Sequence, residues 1–368
     1  MSRPKTHHSP PGLPLEEGGA NIAPRLLRWF DRHGRHDLPW QRPRTPYRVW
    51  ISEVMLQQTQ VATVVPYFER FVRALPDVCA LAEAGEDEVF ALWSGLGYYA
   101  RARNLHRAAL ACVARHGGEL PGDFDALLGL PGIGRSTAGA ILALSRGERF
   151  PILDGNVKRV LARHAGVRGW PGERAAEARL WSLAEDNTPR ERVADYTQAI
   201  MDLGATVCTR TRPRCGECPL SDDCVAFNRG LTATLPQPRA VRALPQRNTV
   251  MLILRDTQQR VLLQRRGAGG VWSGLWSLPE TNEITNAARD AAKFAGVNGS
   301  RAEHLPPFLH TFTHYRLHAQ PLLWRGVHAA HALAGSPDTR WCARKDCERL
   351  GIPAPVRKLL NEIDEVPA

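Results

Sequence analysis

The sequence has no long apolar run, and its first twenty residues have no apolar core. None of its segments approaches the roughly 18 consecutive apolar residues that a membrane-spanning helix needs, although 43% of the 368 residues are hydrophobic. Residues 1–20 contain charge and proline without an apolar core, which predicts a disordered tail and no secretory signal. We therefore expect an intracellular protein without a membrane partner.

The sequence also has no internal repeat, and its composition changes along the chain. A length of 368 residues exceeds the usual size of one hydrophobic core, so two domains are expected. Residues 21–230 place apolar residues at three- and four-residue steps, which predicts a mainly helical domain. Residues 231–246, rich in Pro and Arg, predict a linker. Residues 247–362 contain alternating segments that predict a separate, strand-rich domain.

Acidic residues are too few to balance the basic ones. The chain has 37 Asp and Glu against 48 Lys and Arg, a formal net charge of +11. A surplus of cations raises the affinity for polyanions, and DNA has a dense fixed negative charge. A generally Arg-rich proteome would shift the charge in the same direction, so the motifs must decide.

Half of the eight cysteines lie in one basic stretch, CTRTRPRCGECPLSDDC. Their spacing is C-x6-C-x2-C-x5-C, at Cys208, Cys215, Cys218 and Cys224. Thiols inside a cell stay reduced, so this cluster is more typical of metal ligands than of disulfides. Four thiolates suit zinc or an iron–sulfur cluster, but zinc sites usually pair two separate C-x2-C knuckles. The run resembles the 4Fe–4S loop of the endonuclease III superfamily of DNA glycosylases, which implies one 4Fe–4S cluster.

The segment LPGIGRSTAGAILAL joins two predicted helices. Leu130-Pro131 ends the first helix, and Gly132-Ile133-Gly134 predicts a tight turn before the second. The glycines leave backbone N–H groups uncovered at the start of a helix, where they can bind a phosphate. This is the helix-hairpin-helix pattern. A nucleotide P-loop is excluded because no Gly-Lys-Ser/Thr follows.

Two carboxylates are candidates for catalysis. Asp154 precedes a helical pattern in LDGNVKRVLAR, which by itself indicates an N-cap. In the glycosylases that this chain resembles, however, the catalytic aspartate follows the hairpin by about twenty residues, and Asp154 is twenty residues past Gly134. Glu53 lies between apolar residues of a predicted helix in WISEVMLQQTQV. Burial there would raise its pKa, as a general acid requires, whereas a position on the polar side of the helix would leave it ordinary.

Ser136 separates this chain from the lyases of the same superfamily. Those enzymes have a lysine just after the hairpin glycines, whose amine attacks the sugar, and here GIGRSTAG has Ser136 in that position. A serine cannot form the Schiff base that splits the strand. With GLGYYARARNLH and DYTQAIMDLGATVCTR, residues 21–230 closely resemble the adenine DNA glycosylases of the MutY type.

The C-terminal segment resembles a Nudix fold with an incomplete catalytic box. GLWSLPE, from Gly274 to Glu280, matches the first half of the box, but ARDAAKFAG occupies the place of the carboxylate-rich half. Mg²⁺ needs oxygen ligands, so phosphate hydrolysis is not expected. Adenine glycosylases use such a domain to read the oxidised guanine opposite adenine, and HTFTHYRL resembles their Phe-Ser-His loop. The candidate reader residues are Phe312, Thr313 and His314, unless Phe312 is only a core residue of an alternating strand.

The resemblance implies a fold and a reaction. We expect a mainly α helix-hairpin-helix glycosylase fold with an iron–sulfur loop, followed by an α+β Nudix-like domain. The implied protein is a monomeric, monofunctional DNA N-glycosylase of the bacterial cytoplasm and nucleoid, acting in base excision repair on double-stranded DNA with A:8-oxoG or A:G mispairs. Glu53 would protonate N7 of the flipped-out adenine, and Asp154 would stabilise the oxocarbenium-like sugar until water attacks.

The resemblance also implies DNA contacts. Gln58 and Tyr98 would fill the base stack near the lesion, and Asn156 would support the sugar site. The hairpin adds three residues: Gly132, Gly134 and Ser136.

Two other functions stay open on the sequence alone. One is a pyrimidine-specific glycosylase and lyase like endonuclease III, against which Ser136 and the second domain argue. The other is a non-catalytic iron–sulfur DNA-binding protein, against which the presence of both carboxylates argues.

Overall fold

A computed structural model of the chain describes residues 21–239, 243–267, 269–297, 301–329 and 337–365. The predicted tail, residues 1–20, lies outside the described residues. The described residues form two compact units, one within Met1–Val49 and Gly134–Ala240 and the other within Trp50–Ile133 and Val241–Ala368. The unit boundary therefore falls inside the predicted helical domain, and the second unit combines helices with the C-terminal domain.

The first part of the chain is helical, as the periodicity predicts. Asp77 and Asp123 cap two of its helices, because each carboxylate accepts a hydrogen bond from a backbone N–H of the first turn, on Ala80 and Ala126, both at 2.8 Å. The helices are α1 Ala23–His33, α2 Pro46–Leu56, α3 Val61–Ala74, α4 Val78–Glu83, α5 Glu86–Trp93, α6 Ala100–Arg115, α7 Phe124–Leu128, α8 Arg135–Arg146, α9 Gly155–His164, α10 Arg174–Asn187, α11 Val193–Asp202 and α12 Val225–Asn228.

The first unit is built around α8, α9 and α11. Every residue of α8 from Ala138 to Leu144 is buried. The end of α11 widens into a π-helical turn, Leu203–Val207, which leads directly to Cys208. The buried carboxylate of Asp202 at this junction pairs with the Arg35 guanidinium at 2.6 Å. The core thus fixes where the cysteine stretch starts.

The C-terminal part of the second unit is one mixed sheet with three helices. The long strands β1 and β8 pair in parallel at its centre, and the other pairings are antiparallel. The path β3-β2-β1-β8-β5 is extended by β4 on β1, by β6 and β7 on β8, and by β9 on β2. The strands are β1 Gln246–Asp256, β2 Val261–Arg265, β3 Trp276–Ser277, β4 Glu280–Thr281, β5 Ala295–Gly296, β6 Glu303–His304, β7 Phe308–Thr311, β8 Arg316–Ala329 and β9 Thr339–Cys342, and the helices are α13 Ala287–Ala292, α14 Arg344–Cys347 and α15 Ala354–Glu365.

Each face of this sheet has its own apolar layer. On one face, Met251, Ile253 and Leu263 pack against Val356 and other apolar residues of α15. On the other, strand residues including Leu252 and Trp324 pack with Ala287 and Ala291 of α13. Alternation along the strands produces these two layers, because successive side chains point to opposite faces.

The sheet also packs against α5 and α6 within the second unit. The Asp87 carboxylate of α5 accepts hydrogen bonds from Arg265 Nη2 at 2.8 Å and from Trp276 Nε1 at 3.1 Å. A Cβ added to Gly351 would lie 2.3 Å from the Phe90 Cβ, so the backbone approaches α5 too closely for a side chain.

The predicted linker begins as an ordered segment of the first unit. The Leu235 carbonyl accepts a hydrogen bond from Arg163 Nε at 2.8 Å, and the Gln237 side chain accepts one from the Gly169 N–H at 2.7 Å. Within the described parts of the chain, no helix has the length and apolar character needed to cross a membrane.

Candidate active site

The hairpin turn between α7 and α8 contains two glycines, and the structural reason for a glycine differs between the two positions. Gly132 has φ +80°, and a Cβ there would lie 2.7 Å from the Asn104 Cβ, so backbone and packing both require glycine. Gly134 has an ordinary φ of −97°. A Cβ on Gly134 would meet no atom of the described residues within 4 Å, its chain neighbours aside. Its small size therefore leaves open the N-terminus of α8, where N–H groups can receive an anion.

Ser136 connects the hairpin to the segment that carries Asp154. Its hydroxyl oxygen accepts a hydrogen bond from the Leu153 N–H at 2.9 Å. Leu153 is buried, with 4% of its surface exposed. Ser136 thus orients the backbone immediately before Asp154.

Asp154 is half-buried at the N-cap of α9. Its Oδ1 accepts a hydrogen bond from the Val157 N–H at 2.8 Å, which confirms the N-cap interpretation. Its Oδ2 accepts one from Asn156 Nδ2 at 3.2 Å. The Asn156 side chain is itself held, because its Oδ1 accepts from Arg159 Nη2 at 2.8 Å. Capping and a functional role are compatible, since the cap fixes the direction of the carboxylate.

The protonation of Asp154 reflects opposing effects. Burial raises the pKa of its carboxyl above the ordinary value, while the N–H groups of Val157 and Asn156 and the positive charge of Arg159 oppose the shift. A carboxylate in this position exists at some cost to the folded state.

Glu53 lies in the middle of α2, in the second unit. It is half-buried, and its neighbours Ile51, Ser52, Val54 and Met55 are buried. The glutamate therefore lies on a mostly apolar stretch of the helix.

Gln58 and Tyr98 lie on two neighbouring loops of the second unit. Both have left-handed backbone conformations, with φ 58° and 49°, and both side chains are exposed. The Arg101 guanidinium joins the loops, because Nη1 donates to the Gln57 carbonyl at 2.6 Å and Nη2 to the Gly97 carbonyl at 3.2 Å. It also lies 5.5 Å from the centre of the Tyr98 ring. Its burial is deep enough to lower the pKa of Arg101 to about 10.

The four clustered cysteines line one small pocket together with Arg163 and His164 of α9. Across the described residues, no three His, Cys, Asp or Glu side chains lie close enough to hold a single metal ion. Four cysteines that line one pocket can supply the thiolate ligands of an iron–sulfur cluster. Burial raises the pKa of Cys218 to about 12, so cations beside it are needed to keep the thiolate form.

Two arginines of α9 hold the cysteine loop. Arg163 is 3% exposed and donates to the carbonyls of Thr209 at 2.7 Å and Arg210 at 3.0 Å. Arg159 Nε donates to the Cys208 carbonyl at 2.7 Å. The helix that Asp154 caps therefore also fixes the cysteine loop.

The three arginines of the cysteine loop are exposed, at Arg210, Arg212 and Arg214. Arg214 pairs with Glu217 at 2.8 Å and donates to the Thr206 carbonyl at 2.9 Å. Arg214 therefore stabilises the conformation of the cysteine loop.

The incomplete Nudix box contains cations where a hydrolase would bind metal. Glu280 pairs with Arg266 at 2.5 Å and accepts from the Thr249 hydroxyl at 3.3 Å. Asp290 pairs with Lys293 at 2.8 Å, and the lysine lowers the pKa of that carboxyl to about 2. Both carboxylates of this stretch are therefore paired with cations of the same chain.

The predicted reader residues lie on the turn between β7 and β8. Thr313 and His314 are exposed, whereas Phe312 is half-buried against the sheet core. The Phe312 ring lies 4.6 Å from His310 and 5.1 Å from Trp272, centre to centre. Phe312 therefore both contributes to the core edge and fixes the turn that presents its two neighbours.

Four residues of these sites were missed by the sequence reasoning, namely Arg101, Arg159, Arg163 and Trp272. Arg159 and Arg163 are four residues apart on a helix that begins at Asp154, so their shared face was available as a signal. Arg101 and Trp272 offered no local pattern. Their partners lie in other loops, and only the folded chain brings them together.

Three protein families match successive parts of the chain. Residues 51–186 match the HhH-GPD superfamily base excision DNA repair proteins, and residues 208–224 match the iron–sulfur binding domain of endonuclease III. Residues 249–362 match the NUDIX domain. The fold and these matches define the class: a DNA glycosylase of base excision repair, with an iron–sulfur loop and a Nudix-like domain.

Individual relatives narrow this class. The adenine DNA glycosylase of Buchnera aphidicola subsp. Acyrthosiphon pisum (strain APS) is 36% identical over 91% of this chain and 95% of that protein. That of Homo sapiens is 31% identical over 91% of this chain and 72% of that protein. A solved structure of a thermostable thymine-DNA glycosylase has a TM-score of 0.50 at 26% identity, covering 56% of this chain and 95% of that one. The chain belongs to the adenine DNA glycosylase family.

The comparisons confirm several predictions from the sequence. The fold class, the glycosylase activity in base excision repair and one 4Fe–4S cluster as cofactor are all supported by the matched families and relatives. Binding to DNA follows from membership of a DNA repair superfamily.

The two hairpin glycines should respond differently to alanine. Gly134→Ala should keep the melting temperature but weaken binding to duplex DNA by about tenfold, the effect of one lost charge-assisted hydrogen bond. Gly132→Ala should instead destabilise the fold by roughly 1–3 kcal/mol, because a left-handed backbone and a close contact are both violated. Thermal melts and equilibrium DNA binding measure both effects, and unchanged binding in Gly134→Ala would contradict the anion site.

Loss of one clustered cysteine should remove the cofactor. Purified protein should be yellow-brown and contain iron, and Cys218→Ala should lose both colour and iron. Cys79→Ser, which changes an exposed cysteine outside the loop, is the control and should keep them. Elemental analysis that finds zinc without iron in the unmodified protein would refute the assignment.

Proposed function

We propose that this protein excises adenine opposite 8-oxoguanine or guanine by hydrolysing the N-glycosidic bond. It would act as a monomer on chromosomal DNA in the cytoplasm, at the nucleoid. The observation that carries the hydrolytic reaction is the bond from the Leu153 N–H to the Ser136 hydroxyl. Where a lyase would have an attacking amine, this chain has a hydroxyl engaged in orienting the segment that ends at Asp154.

Glu53 is the proposed general acid. The target adenine must leave the base stack before a side chain reaches it. Glu53 is half-buried on an apolar helix, and as the general acid it would donate its proton to N7 of the adenine. Protonated adenine is a better leaving group, so the glycosidic bond breaks with positive charge developing on the sugar.

Asp154 is the proposed stabiliser of that positive charge. Its carboxylate is fixed by the Val157 N–H and the Asn156 amide, so little reorganisation is needed when the charge develops. The carboxylate stabilises the sugar cation or traps it covalently, and water completes the hydrolysis. Asn156 supports this site by orienting Asp154.

The remaining proposed contacts position the DNA. Gly132 shapes the hairpin and Gly134 leaves room for a phosphate at the start of α8. Gln58 and Tyr98 project from rigid loops and would fill the base stack near the lesion. The proposed reader of the oxidised guanine is the turn of three residues, Phe312, Thr313 and His314.

The proposed ligands of the 4Fe–4S cluster are Cys208, Cys215, Cys218 and Cys224. When bound, the cluster cross-links the loop. Arg163 and Arg159 would hold the same loop against α9, so that its exposed arginines face solvent in a fixed arrangement. Such a surface is suited to phosphate contacts.

Glu53→Gln should abolish excision and keep binding to mispaired duplexes, because the amide has the shape of the acid but cannot donate its proton. Duplexes with adenine opposite 8-oxoguanine, treated with alkali after single turnover, measure the reaction. Strand cleavage by the unmodified protein before alkali would instead indicate a lyase, and near-normal turnover by Glu53→Gln would overturn its assignment.

Asp154→Asn should lower single-turnover excision by 100-fold or more, as expected when transition-state electrostatics are lost. The asparagine can still cap α9. Because burial raises the pKa of Asp154, the folded state holds the proton more tightly than the unfolded chain, and ionisation costs stability above that pKa. The variant should therefore melt at an equal or higher temperature at neutral pH.

The pH dependence of excision provides a second measurement. The reaction needs ionised Asp154, so the rate should fall as the pH drops through a pKa above the ordinary 3.8. The residual activity of Asp154→Asn should lack this acidic limb. A loss of less than about tenfold in the variant, or an unchanged acidic limb, would exclude the proposed role.

A further inference from the structure

The loop of residues 94–99, called here the Tyr98 loop, has an unusual backbone. Gly95, Gly97 and Tyr98 all have positive φ, at 111°, 70° and 49°. Glycine adopts such angles freely, but a tyrosine does so only when its surroundings hold it. The Tyr98 side chain is 49% exposed, so its own packing does not hold the backbone.

Helices of the second unit hold the loop from one side. The Tyr67 hydroxyl donates to the Ser94 carbonyl at 3.0 Å, and Trp93 Nε1 donates to the Gly97 carbonyl at 3.1 Å. Arg101 Nη2 donates to the Leu96 carbonyl at 3.1 Å. These bonds fix the middle of the loop.

The Nudix-like domain holds the loop from the other side, through one carbonyl. The Ile352 carbonyl accepts hydrogen bonds from the Tyr99 hydroxyl at 3.1 Å and from the Ser94 hydroxyl at 3.4 Å. Arg357 Nε, on α15, donates to the same Ser94 hydroxyl at 3.3 Å. Tyr99 is 8% exposed and Ile352 is fully buried. Both ends of the Tyr98 loop are therefore attached to the domain that carries the reader turn.

We propose that the hydrogen bonds of Tyr99 and Ser94 to Ile352 make the Tyr98 loop and the reader turn one rigid element, with Tyr99 as a positioning residue for specificity. The inference rests on the proposed role of Tyr98 beside the lesion. Tyr98 and the turn at residues 312–314 must meet the same base pair, and a fixed distance between them favours the geometry of an oxidised guanine over that of guanine. Tyr99 acts through its neighbour and does not itself touch DNA.

Other contacts between the sheet and the helices do not involve this loop. Asp87, on α5, accepts from Arg265 and Trp276 of the sheet. These bonds fasten the Nudix-like domain to the helices without reaching residues 94–99. A change at Asp87 therefore separates general docking of the domain from placement of the loop.

Tyr99→Phe in the full-length protein tests the proposal, because it removes only the hydroxyl. The preference for adenine opposite 8-oxoguanine over adenine opposite guanine should fall roughly fivefold, the factor for one hydrogen bond of about 1 kcal/mol. The rate of excision opposite guanine should stay within about twofold of that of the unmodified protein, because the lost hydrogen bond does not involve the proposed catalytic carboxylates. Tyr196→Phe, which removes another buried tyrosine hydroxyl, is the matched control and should leave the preference unchanged.

A double-mutant cycle with Tyr98 gives the specific signature. Tyr98→Ala should itself lower the preference, and adding Tyr99→Phe should lower it no further, because the second residue acts through the first. Asp87→Asn should reduce the melting temperature and keep the preference.

Each contrary result has a distinct meaning. An unchanged preference in Tyr98→Ala would remove the proposed role of Tyr98 and the inference with it. A lower preference in Tyr98→Ala with an unchanged one in Tyr99→Phe would overturn the inference alone. Equal losses in Tyr99→Phe and Asp87→Asn would show that docking of the whole domain, and not placement of the loop, sets the preference.

Discussion

Buried guanidinium groups that donate to backbone carbonyls shape the functional loops of this protein. A buried arginine keeps its charge and has five N–H donors to satisfy, so it requires several acceptors in fixed positions. Arg163 meets this requirement with carbonyls of the cysteine loop, and Arg101 with carbonyls of the loops that carry Gln58 and Tyr98. Irregular loops lack the repeating hydrogen bonds of helices and sheets. A single guanidinium replaces several of those bonds at once, and this makes the loops rigid enough to position side chains.

Helix α9 positions both the candidate catalytic aspartate and the cysteine loop. Asp154 caps its N-terminus beside Asn156, and Arg159 in its middle and Arg163 in its last turn bind the cysteine loop. Burial raises the pKa of the Asp154 carboxyl at its N-terminus. Backbone N–H groups and the charge of Arg159 oppose this shift. This balance is typical of a site in which stability is reduced for the sake of a charge needed in the reaction. The iron–sulfur loop and the candidate catalytic aspartate are thus connected through a single helix.

The C-terminal domain combines a Nudix-like sheet with carboxylates that are paired inside the chain. Arg266 and Lys293 neutralise Glu280 and Asp290 from within the chain. The sheet and its two apolar layers remain, since packing depends on the alternation of the strands and not on the box. What the domain offers is a rigid surface, attached to α5 through Asp87 and to the Tyr98 loop through Ile352. Rigid attachment is the property that a reader of a single base needs.

The sequence by itself determined the helical and strand-rich halves, the hairpin, the cysteine spacing and the cap at Asp154. Each of these is a local pattern, in which neighbouring residues decide the conformation. The double use of Asp154 as cap and candidate carboxylate could also be read from its position. The tertiary structure alone decided that the compact units divide the helical part, that residues 231–239 pack on the first unit, and that Arg101, Trp272 and Tyr99 serve sites formed by distant segments. The physical reason is that the role of a buried hydrogen-bond donor or aromatic ring depends on the residues it contacts. Those residues are distant in the sequence and reach it only when the chain folds.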